Sequence, residues 1–107
     1  MPIFDSALDT KSASFQKNKA EMLEMIEVME KLLLEASQGG GEEATKRLRS
    51  RKKLPIRERI SLLLDPDSPF LEISALAAWR SQFNIGSGFV VGIGVVEGVE
   101  CLVLGHD

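Results

Sequence analysis

Apolar positions recur along residues 14–37 with helical spacing. Phe15, Met22, Ile26, Met29, Leu33 and Ala36 stand seven, four, three, four and three apart, with Lys19 interrupting the stripe. Leu23, Met25, Leu32 and Leu34 widen the apolar surface, and Glu27 with Lys31 forms a correctly oriented i,i+4 pair. The pattern predicts one helix over residues 14–37 with the stripe packed on its surroundings, and Asp9, Thr10 and Ser12 are its candidate caps. Gly39-Gly40-Gly41 ends it by supplying positive-φ geometry. A second short helix opens at Glu42-Glu43 and runs to about residue 51, acids in its first turn and bases in its last. Pro55 opens a third, over residues 55–64, whose buried side is expected to be Ile56, Ile60, Leu63 and Leu64. Asp65-Pro66-Asp67-Ser68-Pro69 stops that helix.

The pattern then changes period. Phe70-Leu71-Glu72-Ile73 reads as a short strand or extended segment. Residues 86–96 are Gly-rich and β-branched, and a second β-branched run covers residues 99–104, with Glu97-Gly98 between them. This predicts a hairpin with a tight turn, apolar on both faces like interior strands. Two strands do not stand alone in water, so the hairpin needs more structure around it. The fold class expected is α+β: N-terminal helices followed by a β-hairpin. The divisions are a lead-in over 1–13, a helical region over 14–64, and a β-containing region over 65–107.

Charge changes the picture more than composition does. The chain has 107 residues, 44% of them hydrophobic, and a net charge of −3, which argues against wholesale disorder. Of its thirteen Lys and Arg, eight fall within residues 46–59 against a single acid, Glu58. A cationic block of this kind reads first as a solvated face or an ion-pair partner for nearby acids. It reads second as a site for a phosphate-bearing small ligand. Nucleic acid is disfavoured, because the block has no aromatic residue for base stacking. No apolar run approaches the length of a membrane span, and the first fifteen residues lack the apolar core of a secretory signal.

The inventory of reactive side chains is thin. There is one histidine, His106, one cysteine, Cys101, and no tyrosine, so catalytic and metal-ligating residues are both expected to be none. Cys101 reads as a small core residue, and Trp79 as an anchor for a core or a partner. Gly92-Ile93-Gly94 is followed by more strand rather than a helix start, so it is not a dinucleotide fingerprint; close backbone packing explains such glycines better. The adjacent His106 and Asp107 read as incidental.

One run is more specific. Arg51-Lys52-Lys53-Leu54-Pro55 leads into Arg57-Glu58-Arg59-Ile60, then Leu63-Leu64-Asp65-Pro66, Ser68 and Phe70-Leu71-Glu72. With the preceding helix and the closing Gly92-Ile93-Gly94-Val95-Val96-Glu97-Gly98, nearly the whole chain resembles the N-terminal stretch of one family. These are the carboxyltransferase (β) subunits of biotin-dependent acyl-CoA carboxylases, of the methylcrotonyl-, geranyl- and propionyl-CoA type. Lys52 stands where that family usually has Gly in Arg-Gly-Lys-Leu, and Gly105-His106-Asp107 where it usually reads Ala-Asn-Asp.

The resemblance implies that residues 65–107 begin a crotonase-like domain of a homo-oligomeric subunit. Such a subunit moves a carboxyl group from carboxybiotin, held on a carrier, to the α-carbon of an acyl-CoA. It works beside a biotin carboxylase and biotin carrier subunit, in the cytoplasm or the mitochondrial matrix. Catalysis there rests on backbone N–H groups around the developing enolate, in loops expected downstream of residue 107. Arg51 and Lys53, matching the Arg-Gly-Lys-Leu positions, are the candidates for CoA phosphates. The alternative expectation is a non-catalytic module that docks onto a partner or a full-length homologue.

Overall fold

The computed structural model describes residues 2–107. Three helices, α1 (Ala13–Ser37), α2 (Glu42–Ser50) and α3 (Ile56–Leu63), precede three strands, β1 (Leu71–Ile73), β2 (Phe89–Val96) and β3 (Val99–His106). The chain divides into two compact units at residues 31 and 32, inside α1.

In the first unit α1 starts where a cap is available. The Phe15 N–H donates to Ser12 Oγ at 3.2 Å, so Ser12, among the three candidates, holds the third helical amide. Glu27 and Lys31 pair at 2.8 Å, as their spacing predicts. The helix is continuous, but its stripe is not covered as expected. Phe15 and Ile26 are half-buried, whereas Met22 and Met29 are exposed, and in the second unit Leu33 is exposed while Ala36 is buried. The physical reason is that an apolar stripe is buried only where something lies against it, and this chain covers only part of it.

In the second unit, residues 32–107, the sheet is antiparallel with order β1-β2-β3. Leu71 to Ile73 do form a strand, pairing Glu72 with Gly92, and so turn the expected hairpin into three strands. The β2–β3 turn is the two-residue Glu97-Gly98, with φ of 50° and 77°. Positive φ at both positions is the type I′ geometry that matches strand twist.

Helix α3 lies on one face of this sheet. Its Ile56 and Ile60 join Val90 in the core, with Leu64, Phe70 and Val103 packed around them. A Cβ at Gly92 would meet the Phe70 ring, one at Gly94 the Leu64 side chain, and one at Gly105 the Ile56 side chain. Close approach therefore explains these glycines. Two expectations need correction. Leu63 is exposed rather than buried: it is the last residue of α3, and the extended residue after it, Leu64, is the one that packs on the core. Pro55 is the residue preceding α3, at φ −55° and ψ 147°, and not its first helical residue. The strands are also covered on one face only: Leu71, Phe89, Leu102 and Leu104, on the face away from α3, are all more than 60% exposed.

Candidate functional site

The cationic block folds into the C-terminal half of α2, a turn, and α3. Its charges divide into two sets. Arg49 pairs with Glu58 at 2.9 Å, Lys46 with Glu42 at 2.8 Å, and Arg57 with Glu72 at 2.7 Å. Among the described residues Arg47, Arg51, Lys52, Lys53 and Arg59 make no ion pair. Internal pairing thus accounts for part of the block and leaves a cationic remainder around the α2–α3 turn.

The turn itself is a Schellman motif. The Lys53 N–H donates to the Leu48 carbonyl at 3.0 Å and the Lys52 N–H to the Arg49 carbonyl at 2.9 Å. This geometry forces Lys52 into the left-handed region, φ 58°, where glycine is favoured. Lys53 follows it and lines a cleft of about 390 Å³ together with Arg59, Leu54, Leu104, His106 and the acidic Asp107. Arg51, the residue after the last turn of α2, is exposed and lies outside that lining. Of the two candidates, the structure therefore places Lys53 in a cleft with Arg59 and Asp107, and Arg51 on the open surface.

Three contacts fix α3 and the sheet around this cleft. Arg57 makes a bidentate pair with Glu72, both bonds at 2.7 Å, and donates to the Ala36 carbonyl at 3.3 Å. One guanidinium thereby joins α3, β1 and the end of α1. Hydrogen bonding to Glu72 raises the Arg57 pKa above its already high ordinary value, with burial opposing the shift. Its Nε is buried without a partner. The Asp65 carboxylate accepts the Glu97 N–H at 2.6 Å and the Gly98 N–H at 2.8 Å, holding the hairpin turn from the end of α3. Asp107 Oδ1 accepts the Ile56 N–H at 2.7 Å, capping α3 from 51 residues away. Asp107 is therefore not incidental, and no local pattern announces a cap at that separation. His106 stacks at a tilt on Phe89, ring centroids 5.4 Å apart. Cys101 is half-buried on β3, and Trp79 is half-exposed with the Arg80 guanidinium over its ring. No three His, Cys, Asp or Glu among the described residues converge as metal ligands would. Likewise no helix of the described residues is long and apolar enough to cross a membrane.

The carboxyl transferase domain profile matches residues 47–107. A probable biotin-dependent acyl-coenzyme A carboxylase beta2 subunit from Mycobacterium tuberculosis is 43% identical over 98% of this chain and 20% of its own length. A probable mitochondrial methylcrotonoyl-CoA carboxylase beta chain from Drosophila melanogaster is 41% identical over 98% of this chain and 19% of its own. The geranyl-CoA carboxylase β subunit of P. aeruginosa superposes with a TM-score of 0.73 at 38% identity, covering 98% of this chain and 20% of that one. The chain thus spans about one fifth of the length of these relatives. The α+β arrangement expected above, helices and then the hairpin of a crotonase-like fold, is the one found.

Proposed function

Since this chain belongs to the carboxyl transferase domain family, we propose that it is the N-terminal part of a subunit transferring a carboxyl group from carboxybiotin to an acyl-CoA. The observation that carries this reading is the family-specific run itself. Arg57, Asp65 and Glu72, which sit within it, are the residues that clamp α3 to the sheet and hold the hairpin turn. On this reading the segment supplies scaffold and the mouth of a CoA site, and the backbone N–H groups that stabilise the enolate belong to the remainder of the subunit. Carboxybiotin arrives on a carrier subunit, the complete enzyme is a homo-oligomer, and it works in the cytoplasm or the mitochondrial matrix.

Arg51 and Lys53 would meet CoA phosphates from the α2–α3 turn. The two are exposed and unpaired, with the hydrogen-bonding capacity a phosphate needs. Two measurements test the reading. The isolated chain should turn over no acyl-CoA with carboxybiotin above a heat-killed control, and turnover would defeat the scaffold assignment. With residues 1–107 grafted onto the geranyl-CoA carboxylase β subunit, Arg51→Ala with Lys53→Ala should raise the KM for acyl-CoA and reduce its salt dependence, sparing carboxybiotin use. An unaltered KM with unaltered salt dependence would make the block structural. The uncovered apolar face of the sheet favours a second reading, a non-catalytic module docked on a partner or a full-length homologue.

A further inference from the structure

Helix α2 buries none of its own residues within this chain, so its ends place it. At its C-terminal end the Schellman turn fixes the Lys53 N–H on the Leu48 carbonyl at 3.0 Å. Two residues on, Pro55 restricts the backbone, with φ −55°. Ile56, the first residue of α3, is then held twice by the end of β3. Its side chain fills the space that a Cβ at Gly105 would need. Its N–H, which has no acceptor within the helix, donates to Asp107 Oδ1 at 2.7 Å. Asp107 is itself anchored to the sheet, its N–H on the Gly88 carbonyl at 3.3 Å. Lys53 thus stands between a closed turn behind it and, three residues ahead, a fixed point on the sheet.

Asp107 also lines the cleft that Lys53 and Arg59 share. A carboxylate there repels a phosphate, so its charge alone works against the site. Its hydrogen bond to α3 works the other way. We propose that Asp107 is a positioning residue for acyl-CoA: by tethering Ile56 to the end of β3, it holds the turn that carries Lys53 where the ammonium meets a CoA phosphate. This deepens the carboxyltransferase reading and rests on it, adding a residue that acts through Lys53. Without the tether the turn samples other orientations, and binding must then supply the ordering that the folded chain otherwise provides. The two effects of the one carboxylate are separable. Asp107→Asn keeps an acceptor oxygen and removes the charge, whereas Asp107→Ala removes both.

In the purified chain, hydrogen exchange at the Ile56 amide should quicken at least about threefold in Asp107→Ala and stay near the parent's rate in Asp107→Asn. In the graft onto the geranyl-CoA carboxylase β subunit, Asp107→Ala should raise the KM for acyl-CoA at least about threefold with kcat unchanged. Asp107→Asn should return KM to the parent's value or below it. Once Lys53→Ala is present, Asp107→Ala should raise KM no further, because the two act in series. A KM raised by Lys53→Ala but not by Asp107→Ala would overturn the inference and leave the phosphate reading intact. A KM moved by neither would refute the phosphate reading, and the inference with it. A fall in KM shared by Asn and Ala would show that Asp107 acts by charge alone. An Ile56 amide indifferent to Asp107→Ala would overturn the tether without any turnover being measured.

Discussion

Lys52→Gly should stabilise this chain. Lys52 occupies the left-handed position of the Schellman motif at the end of α2, with φ 58°. A side chain there costs about 1–2 kcal/mol relative to glycine. Glycine returns about 0.4–1 kcal/mol of that through the greater freedom of the unfolded chain. The net gain is about 0.5–1 kcal/mol, equivalent in a domain of this size to a rise in Tm of about 3–6 °C. Lys52 is exposed and makes no ion pair, so no contact is lost. It does stand between Arg51 and Lys53, and removing a charge there relieves repulsion. Lys52→Ala separates the two causes, since it removes the charge and keeps the Cβ. Urea titration of the three proteins should therefore rank Gly above both Ala and the parent. Equal gains from Gly and Ala would show that charge, and not backbone geometry, is responsible; no gain from Gly would refute the strain argument.

Other substitutions test the contacts around α3, each by urea midpoint. Arg57→Ala leaves Glu72 on the covered face of the sheet without its partner and should cost about 1–3 kcal/mol, with a double-mutant cycle against Glu72→Ala showing strong coupling. Asp107→Ala removes the remote cap and should cost about 1 kcal/mol, most of it recovered by Asp107→Asn. Gly92→Ala drives a methyl into the Phe70 ring and should cost about 1–3 kcal/mol. Met29→Asp, at a residue 47% exposed, should change the midpoint by no more than about 0.5 kcal/mol, and a loss of several would show the stripe to be buried.

The helices were legible because their signals are local: periodicity for α1, Gly39-Gly40-Gly41 for its end, acids and bases at the ends of α2. The hairpin was legible from Glu97-Gly98 between β-branched runs. Burial was less so. The stripes of α1 and the open face of the sheet are apolar in sequence, yet apolarity does not say whether a covering element is present. Pairings across long separations were illegible for the same physical reason. Nothing near Arg57 indicates Glu72, and nothing near Ile56 indicates Asp107, because those contacts exist only once the sheet brings the segments together. The positive φ at Lys52 had a visible sign, the glycine expected at that place in Arg-Gly-Lys-Leu.

For the candidate site, the resemblance selected Arg51 and Lys53 by motif position. The folded turn separates them, Lys53 into the cleft with Arg59 and Arg51 outside it. Residues in a turn that reverses direction do not share a face merely by being two apart in sequence. Arg59, within the same block, makes no ion pair among the described residues, and Asp65, six residues on, is bonded to the hairpin turn.

The most direct test of the scaffold assignment is carboxyl transfer by the P. aeruginosa geranyl-CoA carboxylase β subunit whose matching fifth is replaced by this chain. The chimera should assemble as the parent does and keep its kcat within about tenfold, because the grafted segment contributes support and not reacting groups. An assembled chimera with no detectable transfer would contradict the account.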